Sequence, residues 1–347
     1  MNAFTHPISI NRRQVLGVVG VLFLLSAPWS LPLVVGDFWV TVLAEIFIWS
    51  LFASSVNLLL GYTGLLSFGQ ALYFGMGAYG MALGVDILGL SFWPAFFLGI
   101  FVGTLSAAIA GIFAARLTWH YFAIITIVFS LIVYFVAVGW TDLTGGDDGL
   151  PFSVPPVLKV GDFEFTVFDL TFQYYFILAI VGICYFLLYA VLKSPLGYAF
   201  VAVRENDTRA SLIGLSPYKI RYISFVLAGF LACVAGVLFA VFARYASAQY
   251  LFWTVSGEAV LWTVVGGVGT LFGPVIGTGL LIIVREELSV YWDHYLIIIG
   301  VIVILIVTFA PQGIMGLLEK WLGASRSAEP DDAVSDASSQ SVEKNRP

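Results

Sequence analysis

The sequence predicts an all-α protein, a polytopic integral membrane bundle of about eight to ten transmembrane helices with glycine-rich broken segments. Hydrophobic residues make up 60% of the chain and charged residues only 10%, whereas soluble domains carry roughly 25% charged residues. Apolar runs of about 20 residues recur, each long enough to cross a hydrocarbon core of about 30 Å. Runs such as LGVVGVLFLL do not alternate polar and apolar residues, which excludes a transmembrane β-barrel.

Nine apolar runs are candidate membrane spans. They cover residues 14–35, 39–60, 64–89, 93–115, 119–139, 171–192, 222–243, 257–284 and 294–311. The run 257–284 contains four glycines and a proline between Gly266 and Pro274. It is therefore either one broken helix or two shorter passes, because a break at membrane depth is tolerated only where protein or water satisfies the freed backbone groups.

The basic residues predict the orientation, because cytoplasmic loops are enriched in Lys and Arg. Arg12 and Arg13 place the N-terminus in the cytoplasm, the acidic loop 140–170 is then external, and the basic loop 193–221 is cytoplasmic. The chain thus divides into a cytoplasmic N-terminus (1–13), a transmembrane domain (14–322) and a polar, disordered tail (323–347). The net charge of −6 gives no indication of a nucleic-acid partner.

The loop 193–221 contains a short helix with recognisable start and stop signals. Asn206 or Asp207 can cap its N-terminus, and Gly214 supplies the left-handed residue that ends it. A helix of about two turns is too short to be stable alone, so it needs a partner surface. The alternative is a linker beside the membrane, whose basic residues satisfy the charge rule and contact anionic lipid.

Four blocks in this order resemble the permeases of branched-chain amino acid ABC importers, specifically the LivM-type subunit. They are GYTGLLSFGQALYFGMGAYGMAL, YFAIITIVFSLIVYFVAVGWTDLTGGDDGL, SPLGYAFVAVRENDTRASLIGLSPYKIRYISF and VVGGVGTLFGPVIGTGLL. The resemblance implies a permease of a bacterial or archaeal cytoplasmic membrane that carries branched-chain or other hydrophobic amino acids. It implies as partners a second permease subunit, two ATP-binding subunits and an external solute-binding protein. The chain itself is expected to bind no cofactor, since ATP is used by the partners.

The resemblance also implies that the loop 193–221 couples to the ATPases. The candidate coupling residues are Arg204, Glu205, Asn206, Asp207, Arg209, Ala210 and Gly214. The wider importer class often shows Glu-Ala-Ala, three variable residues and Gly here. Ala210 and Gly214 keep that spacing, but Thr208 and Arg209 occupy the first two places, which leaves the docking face open. The family also includes permeases for urea and short amides, which remain alternative solutes.

Small and polar residues within the spans are candidates for the translocation path. Gly69, Gly75 and Gly77 allow close helix approach or backbone bends. Their role is therefore either tight helix packing or lining of the translocation path. Gln70, Glu45 and Glu258 are polar groups at membrane depth and need partners. Gln70 lines the path or bonds to a neighbouring helix. Glu45 is functional or is paired with Gln70 or a backbone group, and Glu258 is functional or lies in water at the interface.

The external loop contains a glycine-rich acidic turn, TDLTGGDDGLP. Its candidate residues are Gly145, Gly146, Asp147, Asp148 and Gly149. The glycines allow tight turns and the aspartates are expected to face outward, but a calcium loop needs more oxygen ligands at regular spacing. The sequence therefore predicts an external turn near the entrance, in a position to contact a binding protein.

Enzymatic activity is not expected of this chain. No Gly-Lys dipeptide occurs, so the chain has no phosphate-binding P-loop, and HExxH and GxSxG patterns are absent. The three histidines lie too far apart in sequence to indicate a metal cluster. The rival hypothesis is an ion-coupled secondary transporter, which would use Glu45 and Glu258 as ion sites but would not need the short helix at residues 206–214.

Overall fold

Helices dominate the structure, which is a computed structural model. It describes residues 12–34, 36–117, 119–160, 163–292 and 294–321. The predicted tail at 323–347 and the chain before Arg12 lie outside the described residues.

The elements follow the chain in a simple order. They are α1 (Arg12–Val34), α2 (Phe38–Asn57), a π-helix (Leu58–Thr63), α3 (Gln70–Asp86), α4 (Phe92–Ala114), α5 (Trp119–Gly139), α6 (Thr141–Thr144), a 3-10 helix (Gly146–Asp148), β1 (Leu150–Pro151), β2 (Leu158–Val160), β3 (Phe163–Phe165), α7 (Leu170–Lys193), α8 (Pro195–Glu205), α9 (Asp207–Leu212), α10 (Pro217–Ala243), β4 (Tyr245–Ala246), a second 3-10 helix (Ala248–Leu251), α11 (Trp253–Gly266), α12 (Gly273–Tyr291), α13 (Tyr295–Phe309) and α14 (Gly313–Trp321).

Five helices in the described part of the chain are long and apolar enough to cross a membrane. They are Phe38–Thr63, Phe92–Ala114, His120–Gly139, Leu170–Lys193 and Pro217–Ala243. Shorter apolar helices lie at Leu22–Leu33 and Tyr295–Phe309. The predicted class, a polytopic helical membrane protein, is confirmed. The predicted number of eight to ten passes is larger than these five candidate spans and stays a prediction.

The helices α2 and α10 form the centre of the bundle. The apolar window of α2 is 89% buried and that of α10 is 72% buried, against 22% for α5 and α7. Aromatic rings pack around these helices: Trp49 of α2 stacks on Phe74 of α3 with ring centroids 5.1 Å apart and lies 4.8 Å from the Phe239 ring of α10. The outer helices leave large apolar side chains exposed, which suits a hydrocarbon surrounding.

The glycine-rich break separates two helices, where the sequence left open one broken helix or two shorter passes. The helices α11 and α12 pack closely on each other: a Cβ at Gly266 would collide with the backbone of Gly273, and one at Gly277 with the carbonyl of Trp262. Only glycine permits this backbone contact. At 14 residues, α11 is about 21 Å long, which is too short to cross a membrane.

Two short antiparallel ladders fix the end of the bundle where α5 ends and α7 begins. In one, β1 pairs with β4 in the register Leu150 to Ala246, and in the other β2 pairs with β3. The first ladder joins the segment after α5 to the segment after α10. The helices α8 and α9 lie at the other end, called here the α8–α9 end.

Candidate functional site

The segment between the π-helix and α3 is not helical, so the predicted span at 64–89 begins six residues late, at Gln70. Gly64 ends the π-helix in a left-handed conformation with φ of 70°. Gly69 lies against α5, where an added Cβ would be 2.7 Å from the carbonyl oxygen of Thr126. The close approach to α5 therefore needs a glycine at position 69, and α3 starts inside the bundle.

Gln70 is the first residue of α3 and is fully buried. In the described part of the chain, neither its amide nitrogen nor its amide oxygen has a hydrogen-bond partner. The expectation that Gln70 bonds to a neighbouring helix is thus not met among these residues, and a buried amide without a partner is costly. The other sequence-based possibility, that it lines a path, stays a prediction.

The first turn of α11 meets the first turn of α3 beside Gln70. The backbone N–H of Ala71 donates to Ser256 Oγ at 2.7 Å, and Phe68 contacts the Trp253 ring edge to face with centroids 6.3 Å apart. Two helices therefore begin at one junction, called here the α3–α11 junction, where Gln70 and Ser256 are buried. Helix N-termini carry partial positive charge and unpaired N–H groups, so this junction is suited to an anionic or carbonyl group.

Gly75 and Gly77 lie on faces of α3 that are packed against protein. A Cβ at Gly75 would meet the side chain of Leu251, and one at Gly77 would be 2.5 Å from the Cys233 carbonyl oxygen. This geometry favours the packing interpretation for both glycines. They hold α3 close to the second 3-10 helix and to α10.

Glu45 is bonded to partners that the sequence interpretation did not propose. Its Oε1 accepts from Trp49 Nε1 and from Arg285 Nη2, each at 3.0 Å. Arg285 also donates to Glu286 at 3.0 Å. Pairing of Glu45 with Gln70 is therefore wrong, and the fixed structural contact is with α12. The sequence offered one signal for this pair, since Arg285 follows an apolar run and has no basic neighbour.

Glu258 lines a cavity of about 610 Å³ between α11, α12 and α13. Arg285 lies in the same wall, and the rest of the lining is mainly aliphatic, including Leu261, Ile282 and Val303. Glu258 itself is exposed in the isolated chain. A carboxylate on a helix within the bundle requires water, a partner chain or a charged ligand, so the cavity is an amphipathic site with charge at one wall.

The short helix in the loop 193–221 has the predicted caps. Asn206 Oδ1 accepts the backbone N–H of Arg209 at 2.9 Å, and Gly214 has φ of 90°. The N–H of Leu215 donates back to the Ala210 carbonyl at 3.1 Å, which is the hydrogen bond of a glycine-terminated helix. Ala210 is buried, and its packing fixes α9 against the bundle.

The outward face of α9 is apolar at its end. Leu212 is 82% exposed and Ile213 is 74% exposed. Glu205 and Arg209 are exposed beside them. Two large aliphatic side chains at the tip of a polar loop form a small contact surface.

Two polar contacts tie this region to the bundle. Asp207 forms an ion pair with Arg221 of α10, and Arg204 Nη1 donates to the carbonyl oxygen of Gly61 in the π-helix at 2.5 Å. The partner of Arg204 could not be chosen from sequence, because Arg204 and Gly61 are separated by 143 positions.

The glycine-rich turn after α5 is ordered by its backbone. Gly145, Gly146 and Gly149 all have positive φ, which side chains rarely tolerate. The Tyr245 hydroxyl donates to the carbonyl oxygen of Asp148, while the side chains of Asp147 and Asp148 are exposed. Among the described residues, no group of three or more His, Cys, Asp or Glu side chains could hold a metal ion.

The comparisons with known proteins identify the class and then the family. An apolar helical bundle with helices that begin inside it is typical of membrane transport proteins. Residues 38–307 match the family described as the branched-chain amino acid transport system permease component. The chain belongs to this family.

Curated relatives extend over most of the chain. It is 26% identical over 326 residues to the high-affinity branched-chain amino acid transport system permease protein LivM of Escherichia coli K12, covering 88% of this chain and 76% of that protein. It is 24% identical to a probable LivM of Methanocaldococcus jannaschii, covering 75% and 88%. A LivH permease protein of Salmonella typhimurium is 30% identical over 142 residues, 40% of this chain and 44% of that protein. No solved structure matches the chain.

Proposed function

We propose that the chain is the LivM-type permease subunit of an ATP-driven importer for branched-chain amino acids. The observation that carries the proposal is α9, a capped helix that projects the exposed Leu212 and Ile213 beside a membrane-spanning bundle. The relatives named LivM and LivH support the solute and a second permease subunit. In this arrangement two ATP-binding subunits contact α9, and the α8–α9 end faces the cytoplasm.

The acidic turn with Asp147 and Asp148 then faces the outside, where a solute-binding protein delivers its cargo. The solute passes the α3–α11 junction, where Gln70 offers an unpaired amide to a polar group. The cavity beside Glu258 is a second polar element along the same bundle. ATP binding by the partner subunits favours one of two conformations, and differential affinity is what shifts the equilibrium.

Two alternatives lead to different experimental results. A permease for urea or short amides would use the same machinery with another solute. An ion-coupled carrier would need a free intramembrane carboxylate. The Glu45 carboxylate is occupied by Arg285 and Trp49, which leaves Glu258 as the carboxylate that such a carrier would use. Competition between solutes distinguishes the urea or amide permease from the proposed function. The energy source that drives uptake distinguishes the ion-coupled carrier from it.

The test is to tag this chain, isolate it gently from its native membrane with whatever stays bound, and reconstitute the assembly in vesicles. We expect ATP-dependent uptake of radiolabelled leucine when the binding protein is added, with competition by isoleucine and valine but not by urea. Uptake driven by an imposed ion gradient without ATP would overturn the proposal. Urea transport in place of leucine would retain the machinery and replace the solute.

A further inference from the structure

The turn between α11 and α12, residues 267–272, is held by one buried side chain of α2. Asn57 Nδ2 donates to the carbonyl oxygen of Thr270 at 2.7 Å, and Asn57 Oδ1 accepts the backbone N–H of Gly269 at 2.8 Å. Asn57 is 2% exposed. A single amide that satisfies both a donor and an acceptor of one turn fixes the position of that turn.

The π-helix that follows Asn57 lies in direct contact with the same turn. A Cβ at Gly61 would be 2.5 Å from the backbone nitrogen of Gly269. The two backbones can approach this closely only because position 61 is glycine. Movement of the π-helix and movement of the turn are therefore not independent.

Arg204 at the end of α8 joins this contact from the other side. Its Nη1 donates to the Gly61 carbonyl oxygen and lies 3.8 Å from the Cβ position of Gly269. Its side chain also covers Gly64, where an added Cβ would be 3.0 Å from Arg204 Cγ. One guanidinium thus bonds to the π-helix and lies beside the turn between α11 and α12, while its aliphatic stem packs on the segment that leads to α3.

Beyond the turn, α11 connects directly to the α3–α11 junction. The helix is 14 residues long, and its first turn holds the N-terminus of α3 through Ser256 and Ala71. A short helix that is fixed at both ends transmits a displacement of one end to the other, since packed elements are bistable and do not deform continuously.

We infer that Asn57 and Arg204 are positioning residues that connect the α8–α9 segment to the α3–α11 junction, through the turn at 267–272 and the helix α11. The inference rests on the proposed function, because it assigns a transmission role to a loop that an ATPase moves. Neither residue touches the solute. Both act by coupling the position of the turn at 267–272 to the position of α8, so that the two move together.

The experiment measures leucine taken up per ATP hydrolysed in the reconstituted assembly, for Asn57→Leu, Arg204→Ala and the double variant. Two control variants are matched to them. Ser55→Ala removes a buried hydroxyl of α2 whose hydrogen bond is to its own helix, at Phe52. Arg116→Ala removes an exposed arginine that lies over the Tyr218 ring.

The Arg204 guanidinium is bonded to Gly61 within the bundle, and Asn57 is buried. We therefore expect both single variants to retain the ATPase subunits and ATP hydrolysis while the uptake per ATP falls about tenfold. The uptake per ATP of the double variant should be no lower than that of the more impaired single variant, because both substitutions interrupt one connection. The two control variants should take up as much leucine per ATP hydrolysed as the unmodified chain. A merely structural role would lower uptake and hydrolysis together and leave their ratio unchanged.

An unchanged ratio in both single variants, or losses that multiply in the double variant, overturns the inference while the proposed function stands. If Asn57→Leu does not fold, Arg204→Ala, which changes an exposed residue, decides the question by its uptake per ATP alone. Absence of ATP-dependent uptake by the unmodified assembly is a different result, since it removes the proposed function itself.

Discussion

Glu45 and Arg285 join α2 to α12 by an ion pair of 3.0 Å across 240 positions of sequence. Their side chains are 19% and 30% exposed, and Arg285 also pairs with Glu286 at 2.9 Å. Charges placed within an apolar bundle are expensive unless they are paired and hydrogen-bonded. The pair therefore fixes the position of α12, which forms one wall of the cavity beside Glu258.

Arg285→Gln should destabilise the protein by about 1–3 kcal/mol, because it leaves the Glu45 carboxylate without its charged partner. The double variant Glu45→Gln with Arg285→Gln should recover part of this loss, since the Glu45 charge is removed together with its partner and only Glu286 loses a charged partner. Thermal unfolding in detergent measures both effects, with the exposed Glu287→Gln as the control. A double variant that is less stable than Arg285→Gln would contradict this account.

The contact between α11 and α12 should depend on glycine at particular positions. Gly277→Ala places a methyl group against the Trp262 carbonyl, and such overpacking costs about 1–3 kcal/mol or more. Gly279→Ala is the matched control in the same helix, because its Cβ would meet only Ile46 Cγ2, at 3.7 Å. The yield of folded protein and its unfolding temperature are the measurements. Equal tolerance of the two alanines would show that the helices do not pack in this way.

The exposed pair on α9 should affect assembly and not folding. Replacing Leu212 and Ile213 by Ser should change the free energy of unfolding by no more than about 0.5 kcal/mol, since surface substitutions rarely do more. The amount of ATPase that copurifies should fall at least about tenfold, because the apolar contact is lost. Leu88→Ser, which alters an exposed leucine at the opposite end of the bundle, should leave the copurified ATPase unchanged. Full ATPase recovery with both serines present would exclude this docking face.

Local signals predicted much of this structure from sequence. The caps of α9 could be predicted because Asn206 and Gly214 cap a helix through residues that are close to them in sequence. The break between α11 and α12 was visible in its glycines, but whether it formed one helix or two depends on the contact between Gly277 and the Trp262 carbonyl. That contact joins two segments whose sequences are each typical of an apolar helix, so neither sequence indicates the contact.

Long-range partners could not be predicted in this way. Asn57 appears in sequence as an ordinary polar residue near the end of an apolar run, and its partner Thr270 is 213 positions away. The late start of α3 was also missed, because residues 64–69 are apolar enough to continue a span. Because Gly69 packs closely on Thr126, residues 64–69 do not continue into α3 as one helix.

Gln70 and Thr278 offer a test of whether a buried polar group is retained for transport. Both are fully buried, and both have side-chain atoms without a partner in the described part of the chain. Replacing such a group by an apolar one of similar size should be neutral or stabilising by about 1 kcal/mol. Gln70→Met and Thr278→Val should therefore both keep or raise the unfolding temperature.

The two variants should differ in transport. Gln70 lies at the α3–α11 junction, so Gln70→Met should lower leucine uptake about tenfold or more, whereas Thr278 lies within α12 and Thr278→Val should leave uptake near that of the unmodified chain. Loss of uptake together with loss of stability in Gln70→Met would indicate a structural amide. Undiminished uptake by a stable Gln70→Met would place the path elsewhere, because a solute that used this amide could not lose it without a cost in binding.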